Sequence, residues 1–109
     1  MKLTKHDSYV QQLYETIRHD YDDIVLHVPI RNRKRMLGEV DVLARDGRVF
    51  DVFEVKCSRR IVKARKQARK IRKNLPLEYR HFYIYNGSAG LVEEIGLGVS
   101  GRITIHTVL

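Results

Sequence analysis

The fold of this chain is decided by residues 37–57, which read LGEVDVLARDGRVFDVFEVKC. The β-branched and aromatic residues in this stretch favour two extended segments. Between them stands Asp46-Gly47, a dipeptide typical of the type I′ hairpin turn, because both central residues of that turn need a positive φ. We therefore predict a β-hairpin in which Asp41 lies opposite Val52.

Three charged residues of the hairpin are expected to share one face. Side chains alternate between the two faces of a strand, and this alternation groups Asp41, Glu54 and Lys56. In the predicted register Asp41 is diagonal to Glu54, close enough for both carboxylates to contact one ion. Such groups on an apolar hairpin are unfavourable unless they are paired or bound to a metal.

This grouping predicts a site for a hard divalent cation such as Mg²⁺, held by Asp41 and Glu54. Lys56 beside the cation could stabilise a developing negative charge or help to activate water. The alternative is an ordinary salt bridge between Lys56 and one of the carboxylates on a half-exposed sheet face.

The spacing Asp-x12-Glu-x-Lys, carried by Asp41, Glu54 and Lys56, resembles the signature of the PD-(D/E)XK nucleases. These are the restriction-endonuclease-like enzymes, which include the archaeal Holliday-junction resolvases. The longer stretch from Asn32 to Lys56, with GEVDVLARDG and FEVK, is also similar to the small bacterial YraN-type endonuclease-like proteins. The resemblance in element order extends over residues 7–85.

The resemblance implies a metal-dependent endonuclease that hydrolyses phosphodiester bonds of DNA. It implies that Asp41, Glu54 and the backbone carbonyl of Val55 bind Mg²⁺, with Mn²⁺ as an expected substitute. Lys56 would position or deprotonate the attacking water and offset charge on the phosphate.

The same resemblance suggests further site residues outside the hairpin core. Similar nucleases place a Gln or Lys of the following helix near the site, which implies Gln67 here, unless Gln67 contacts only water. They often add an acidic residue from the first helix, for which Glu15 is a candidate, unless it is a solvated surface residue. Glu39 is a second auxiliary candidate.

The positive charge of the chain is concentrated in one element. The formal net charge is +8, yet residues 58–74 contain nine Lys or Arg and no acid, which leaves 12 basic and 13 acidic residues elsewhere. A concentrated basic stripe indicates a polyphosphate partner. We predict contacts to the DNA backbone from Arg59, Arg60, Lys63, Lys66 and Lys70 in this stretch, and from Arg31 and Arg33 in the loop before the hairpin.

The resolvase resemblance implies branched DNA as the substrate, with roles in DNA recombination and repair. Paired cuts at a junction predict a homodimer, formed through the weakly charged residues 79–109. Two alternatives stay open. One is a non-cleaving nucleic-acid-binding module of the same fold, and the other is an RNA-directed nuclease, because A-form RNA also attracts a basic helix.

Bulk properties predict a single nuclease-like domain over residues 1–109. The one cysteine, Cys57, cannot form an internal disulfide, which favours a reducing compartment and a cytoplasmic location. No apolar run approaches the ~20 residues of a membrane span, and the first residues lack the apolar core of a signal peptide. We therefore expect no membrane partner.

The remaining patterns predict an α/β fold. A first helix is expected over residues 4–21, with Thr4 as its N-cap and Asp7 in the capping-box position. The other predicted elements are a strand over 22–30, the basic helix over 59–74, a strand over 79–85, a short helix from Leu91 to Leu97 and a strand over 102–108. Ser88 is a possible cap of the short helix. His27, in the strand over 22–30, is expected to have no chemical role. This order contains the restriction-endonuclease-like αβββαβ core, a mixed central sheet flanked by helices.

Overall fold

The computed structural model describes residues 4–31, 33–57, 61–75, 78–95 and 103–107. The elements in these residues are α1 (Lys5–Ile17), a 3-10 turn (Arg18–Asp20), β1 (Asp23–Arg31), β2 (Met36–Asp46), β3 (Val49–Lys56), α2 (Ile61–Lys73), β4 (His81–Asn86), β5 (Leu91–Ile95) and β6 (Ile103–Thr107). The strands form one sheet in the order β1-β2-β3-β4-β5-β6. Only β3 and β4 are parallel among these strand pairs, and α2 lies between them in the chain as a crossover. The fold is therefore mixed α/β.

The two helices pack on opposite faces of the sheet. Alternate residues of β3 accordingly belong to two different cores. The core on the α1 face contains Val10, Leu13, Phe53, Val55 and Tyr85. The core on the α2 face contains Val52, Ala68, Phe82, Ile84 and Ile95. This layering leaves the carboxyl end of β3 between the two helices.

The first helix begins as predicted. The hydroxyl of Thr4 accepts a hydrogen bond from the backbone N–H of Asp7 at 3.0 Å, which confirms the N-cap. The helix ends at Ile17 because residues 18–20 tighten into the 3-10 turn. Among the described helices, none is long and apolar enough to cross a membrane.

The predicted hairpin forms, but its turn differs from the expected one. Asp46 pairs with Val49, so the two-residue loop is Gly47-Arg48. Gly47 has a φ of 62°, and Arg48 is not among the described residues with a positive φ. A positive φ at the first loop residue alone is the pattern of a type II′ turn.

The strand register was consequently wrong by two residues. Val52 pairs with Leu43 rather than with Asp41. A contact from outside the hairpin helps to fix the turn, because the backbone N–H of Gly47 donates to the carboxylate of Asp22 at 2.7 Å. A shift of two residues keeps every side chain on its predicted face.

Halfway along β1, the apolar side chains change face. Leu26 packs in the α1 core and Val28 packs in the α2 core, although residues two apart on a strand ordinarily share a face. Their partners on β2, Val42 and Val40, divide in the same way, while the pairing register is unchanged. His27 lies at the point of reversal with a φ of 56°, in the left-handed region.

The short helix predicted from Leu91 to Leu97 is wrong, since Leu91–Ile95 is strand β5; Leu97 lies outside the described residues. Gly90 has a φ of 65°, and its N–H donates to the carbonyl of Asn86 at 2.9 Å, which folds the chain back onto β4. Ser88 caps no helix, and its hydroxyl donates to the carbonyl of Cys57 at 3.0 Å. The free edge of β4 offers backbone partners that a short isolated helix would leave unused.

Candidate metal and nucleic-acid site

Two buried carboxylates meet where the hairpin ladder ends. The last regular pair is Val42 with Phe53, and the next residues are Asp41 and Glu54, which are only 5% and 2% exposed. The backbone N–H of Asp41 donates to Glu54 Oε1 at 3.2 Å, and the N–H of Val55 donates to Asp41 Oδ2 at 2.8 Å. The structure thus brings the two predicted carboxylates together, opposite each other rather than diagonal.

The environment of Glu54 disfavours its ionised form. Burial first, and then the negative charge of Asp41, raise the pKa of Glu54 to about 8, while the ammonium of Lys56 opposes the shift. Burial and a like charge are both expected to stabilise the protonated carboxyl. In the absence of a bound cation, the protonated form of Glu54 is therefore favoured at neutral pH.

Lys56 reaches the second helix rather than a carboxylate. Its Nζ donates to Gln67 Oε1 on α2 at 3.2 Å. Within the described ranges no ion pair joins Lys56 to Asp41 or Glu54, so the salt bridge considered as the alternative is not formed. Gln67, suggested only by resemblance, contacts another predicted site residue.

His6 also lies at the site, and no sequence pattern predicted it there. From the first turn of α1, its Nε2 lies 3.1 Å from the carbonyl oxygen of Val55 and 3.3 Å from Asp41 Oδ2. Because a carbonyl oxygen only accepts, the Nε2 atom carries the proton in this contact. His6 and Val55 are 49 positions apart, so no local spacing could have connected them.

Glu39 lies at the site and Glu15 does not contact it. Glu39 Oε1 is 2.9 Å from His27 Nδ1, and these two residues form a cluster with Asp41. Glu15 accepts from Gln11 at 3.1 Å on the exposed surface of α1, which agrees with the solvated alternative. The prediction that His27 has no chemical role did not anticipate this cluster.

Basic side chains of α2 form one continuous surface beside the site. A shallow cavity of about 580 Å³ is lined by Lys63, Lys66, Gln67, Arg69, Lys70 and Lys73, which we call the basic surface. Arg65 points elsewhere, to an ion pair with Glu93 at 3.2 Å. Since Gln67 also holds Lys56, the basic surface and the carboxylate site are contiguous.

Of the other four predicted DNA contacts, two lie in the described part of the chain. Arg31 ends β1 and Arg33 follows in the loop to β2, and both are exposed. Arg59 and Arg60 lie outside the described residues. The structure therefore places only Arg31 and Arg33 of these four arginines.

Comparison with known proteins found no matching family model, no matching curated protein and no matching solved structure. The resemblance to PD-(D/E)XK nucleases accordingly stays a prediction from the motif. The function of this chain must be argued from the chemistry of the residues that the fold brings together.

Proposed function

We propose that this protein is a metal-dependent endonuclease of the PD-(D/E)XK type that hydrolyses phosphodiester bonds of DNA. The observation that carries the proposal is the cross-linked pair of buried carboxylates, Asp41 and Glu54, with Lys56 beside them. The element order α1-β1-β2-β3-α2-β4 supports it, because it agrees with the αβββαβ order of restriction-endonuclease-like domains.

The donor set fits a hard divalent cation. Asp41 and Glu54 offer carboxylate oxygens and Val55 offers a carbonyl oxygen, and Mg²⁺ prefers oxygen ligands. His6 already directs an N–H toward two of these oxygens, which supports their attraction for a positive partner. When bound, the ion would polarise a phosphoryl oxygen and offset negative charge.

Lys56 has the chemistry expected of the group that handles the attacking water. Its ammonium lies near Glu54, as its effect on the pKa of that carboxyl indicates. The hydrogen bond to Gln67 fixes Nζ at 3.2 Å from the helix side chain, so Lys56 is held in place. A positioned ammonium can orient water and stabilise charge that develops on the phosphate.

The basic surface would hold the nucleic acid by its phosphates. Contacts to phosphate give affinity and position a duplex without reading its sequence. Lys63, Lys66 and Lys70 are exposed on this surface and none takes part in an ion pair within the described residues. Branched DNA is the substrate that the resolvase resemblance favours, and a homodimer would place two sites on it.

The deciding experiment incubates the purified protein with a four-way junction, a duplex, single-stranded DNA and RNA, in Mg²⁺ or EDTA. We expect Mg²⁺-dependent cutting of DNA, with paired nicks on opposing strands of the junction and a dimer by light scattering. Glu54→Gln should not cut, whereas the surface control Glu15→Gln should.

Other results would favour a different function or mechanism. Tight DNA binding without any cutting would leave the non-cleaving binding module. Cutting of RNA alone would favour the RNA-directed nuclease, and a monomer that makes unpaired nicks would exclude the resolvase assignment while leaving a simple nuclease. Cutting that continues undiminished in EDTA would overturn the metal-dependent mechanism.

A further inference from the structure

Beside the carboxylate pair lies a mixed group of ligand atoms. One nitrogen of His27 and one oxygen each of Glu39 and Asp41 all lie within 4.8 Å of one another. We propose that these three residues form a second divalent-cation site, which takes a first-row transition ion such as Mn²⁺ in preference to Mg²⁺. Asp41 would be shared between this site and the one formed with Glu54 and Val55.

The spacing already suits coordination. His27 Nδ1 is 2.9 Å from Glu39 Oε1. Two ligand atoms about 2.1 Å from one ion, at right angles, are about 3 Å apart. An ion could therefore replace the hydrogen bond between these side chains without a large movement of either strand.

The three residues differ in exposure in a way that suits a site open to solvent. Asp41 is buried, at 5% exposure, and a hydrogen bond from the backbone N–H of Val55 fixes its carboxylate. The side chains of His27 and Glu39 are 42% and 39% exposed. A fixed carboxylate at the base and two accessible ligands at the rim give an ion both an anchor and an entry path.

The donor types select among ions. Imidazole nitrogen binds transition ions well, whereas Mg²⁺ prefers oxygen ligands and keeps much of its water. Glu54 and Val55 offer oxygen only, so the two neighbouring sites would differ in preference. Glu54 does not belong to the cluster of His27, Glu39 and Asp41, which makes the sites separable by mutation.

The fold places His27 here through an unusual backbone. His27 has a φ of 56° in the middle of β1, and the paired residues on either side keep one register, which puts His27 level with Asp41. A left-handed conformation is unfavourable at a residue other than glycine, because the Cβ atom then crowds the backbone. His27→Gly therefore removes the imidazole while accepting the same backbone, so this variant is expected to fold.

The test is binding of Mn²⁺ and of Mg²⁺ to the whole chain by equilibrium dialysis, with calorimetry for affinity. Wild type should bind two Mn²⁺ ions. His27→Gly and Glu39→Gln should each weaken one Mn²⁺ site by about tenfold or more and leave Mg²⁺ binding unchanged. The matched controls His19→Ala and Glu15→Gln, which lie on exposed parts of α1 and its following turn, should bind like wild type.

Unchanged Mn²⁺ stoichiometry and affinity in both His27→Gly and Glu39→Gln would overturn the inference. So would Mg²⁺ that displaces both Mn²⁺ ions equally well. Glu54→Gln should retain the Mn²⁺ ion of this second site. Because these readouts are binding measurements, they stand whether or not the protein cuts DNA, and loss of cleavage in Glu54→Gln tests the proposed function separately.

Discussion

The backbone N–H of Asp41 donates to the side chain of Glu54 at 3.2 Å, so one carboxylate residue holds the other at the end of the hairpin ladder. The reciprocal contact runs from the N–H of Val55 to Asp41 Oδ2. Backbone bonds of this kind fix side-chain positions more firmly than contacts between two flexible side chains. The pair is therefore preorganised for a shared ligand, which is the basis for the first two predictions.

Removal of any one of Asp41, Glu54 or Lys56 should abolish most of the cleavage. Alanine at each position is expected to reduce the rate by about 10²-fold or more, because a group that stabilises the transition state contributes a few kcal/mol. DNA affinity should largely survive, since the basic surface is untouched. Single-turnover cleavage and a binding assay separate the two effects, and wild-type rates in both Asp41→Ala and Glu54→Ala would show that the site is misassigned.

The raised pKa of Glu54 predicts how stability depends on pH. Its folded-state pKa is about 8 against an ordinary value of 4.5, so the native state holds a proton that the unfolded chain releases between these values. In the absence of divalent cations, this carboxyl should make the free energy of unfolding fall as pH rises through that window. Thermal melts of wild type and Glu54→Gln in EDTA, at several pH values, measure this pH dependence. The fall in stability that Glu54 causes should be absent in Glu54→Gln.

Mg²⁺ should reverse the trend, because a cation favours the ionised form of Glu54. Stabilisation by Mg²⁺ is therefore expected to be larger at about pH 8.5 than at about pH 6, which lie above and below the shifted pKa of Glu54. The melting temperature with Mg²⁺ or EDTA at each pH measures this, and Glu15→Gln is the matched control. An equal Mg²⁺ effect at both pH values would argue against Glu54 as a ligand.

Charge reversal on the basic surface should weaken DNA binding without regard to sequence. The change is Lys63→Glu, Lys66→Glu and Lys70→Glu together, and it should also flatten the salt dependence, because fewer counterions are released. All three side chains are exposed, so the melting temperature should change little. Arg48→Glu, an exposed charge at the hairpin turn, is a single-site comparison, and wild-type affinity of the triple variant at low salt would assign the surface another partner.

Asp51 should be a structural rather than a catalytic acid. It is 1% exposed and accepts hydrogen bonds from the hydroxyl of Tyr21 at 2.6 Å and from Arg80 at 2.8 and 3.1 Å. Burial raises its pKa, but the hydrogen bonds from Arg80 and Tyr21 outweigh burial and lower it overall. Asp51→Ala is expected to cost about 2 kcal/mol in the free energy of unfolding.

The lowered pKa of Asp51 also sets the direction of its pH dependence. Its contribution should be present at neutral pH and should be lost as pH falls below the ordinary carboxyl value and through the lowered one. Urea denaturation of wild type and Asp51→Ala at several pH values measures this, with Asp20→Ala, at an exposed position, as control. A difference between the two proteins that persists undiminished in strong acid would contradict the assignment.

A close contact between helix and turn should make Gly87 intolerant of side chains. A Cβ at Gly87 would lie 2.1 Å from the ring of Tyr9, so Gly87→Ala requires a shift of the Tyr9 ring or of the turn that faces it. We expect a loss of about 1–3 kcal/mol, measured by chemical denaturation. Gly38→Ala, which meets only the side chain of Ile71 at 3.3 Å, should cost less, and Tyr9→Ala should rescue Gly87→Ala.

Three features could be predicted from the sequence alone: the hairpin, the common face of Asp41, Glu54 and Lys56, and the concentration of positive charge on one helix. These features depend on short-range periodicity, and strand alternation survives a register error of two residues because that error is even. The N-cap at Thr4 could likewise be predicted, since its hydrogen-bond partner, Asp7, is three residues away in the chain. Local chemistry decides such features, so they follow from neighbours in the chain.

The turn type, strand β5 and the positions of His6 and His27 depend on contacts between distant parts of the chain. His6 meets Val55 across 49 positions, and the hairpin turn is held by Asp22 across 25. The change of face at His27 is defined by packing against the two helices, because Leu26 joins the core on the α1 face and Val28 joins the core on the α2 face. Such contacts form between distant segments through packing of the whole domain, and local propensity carries no information about them.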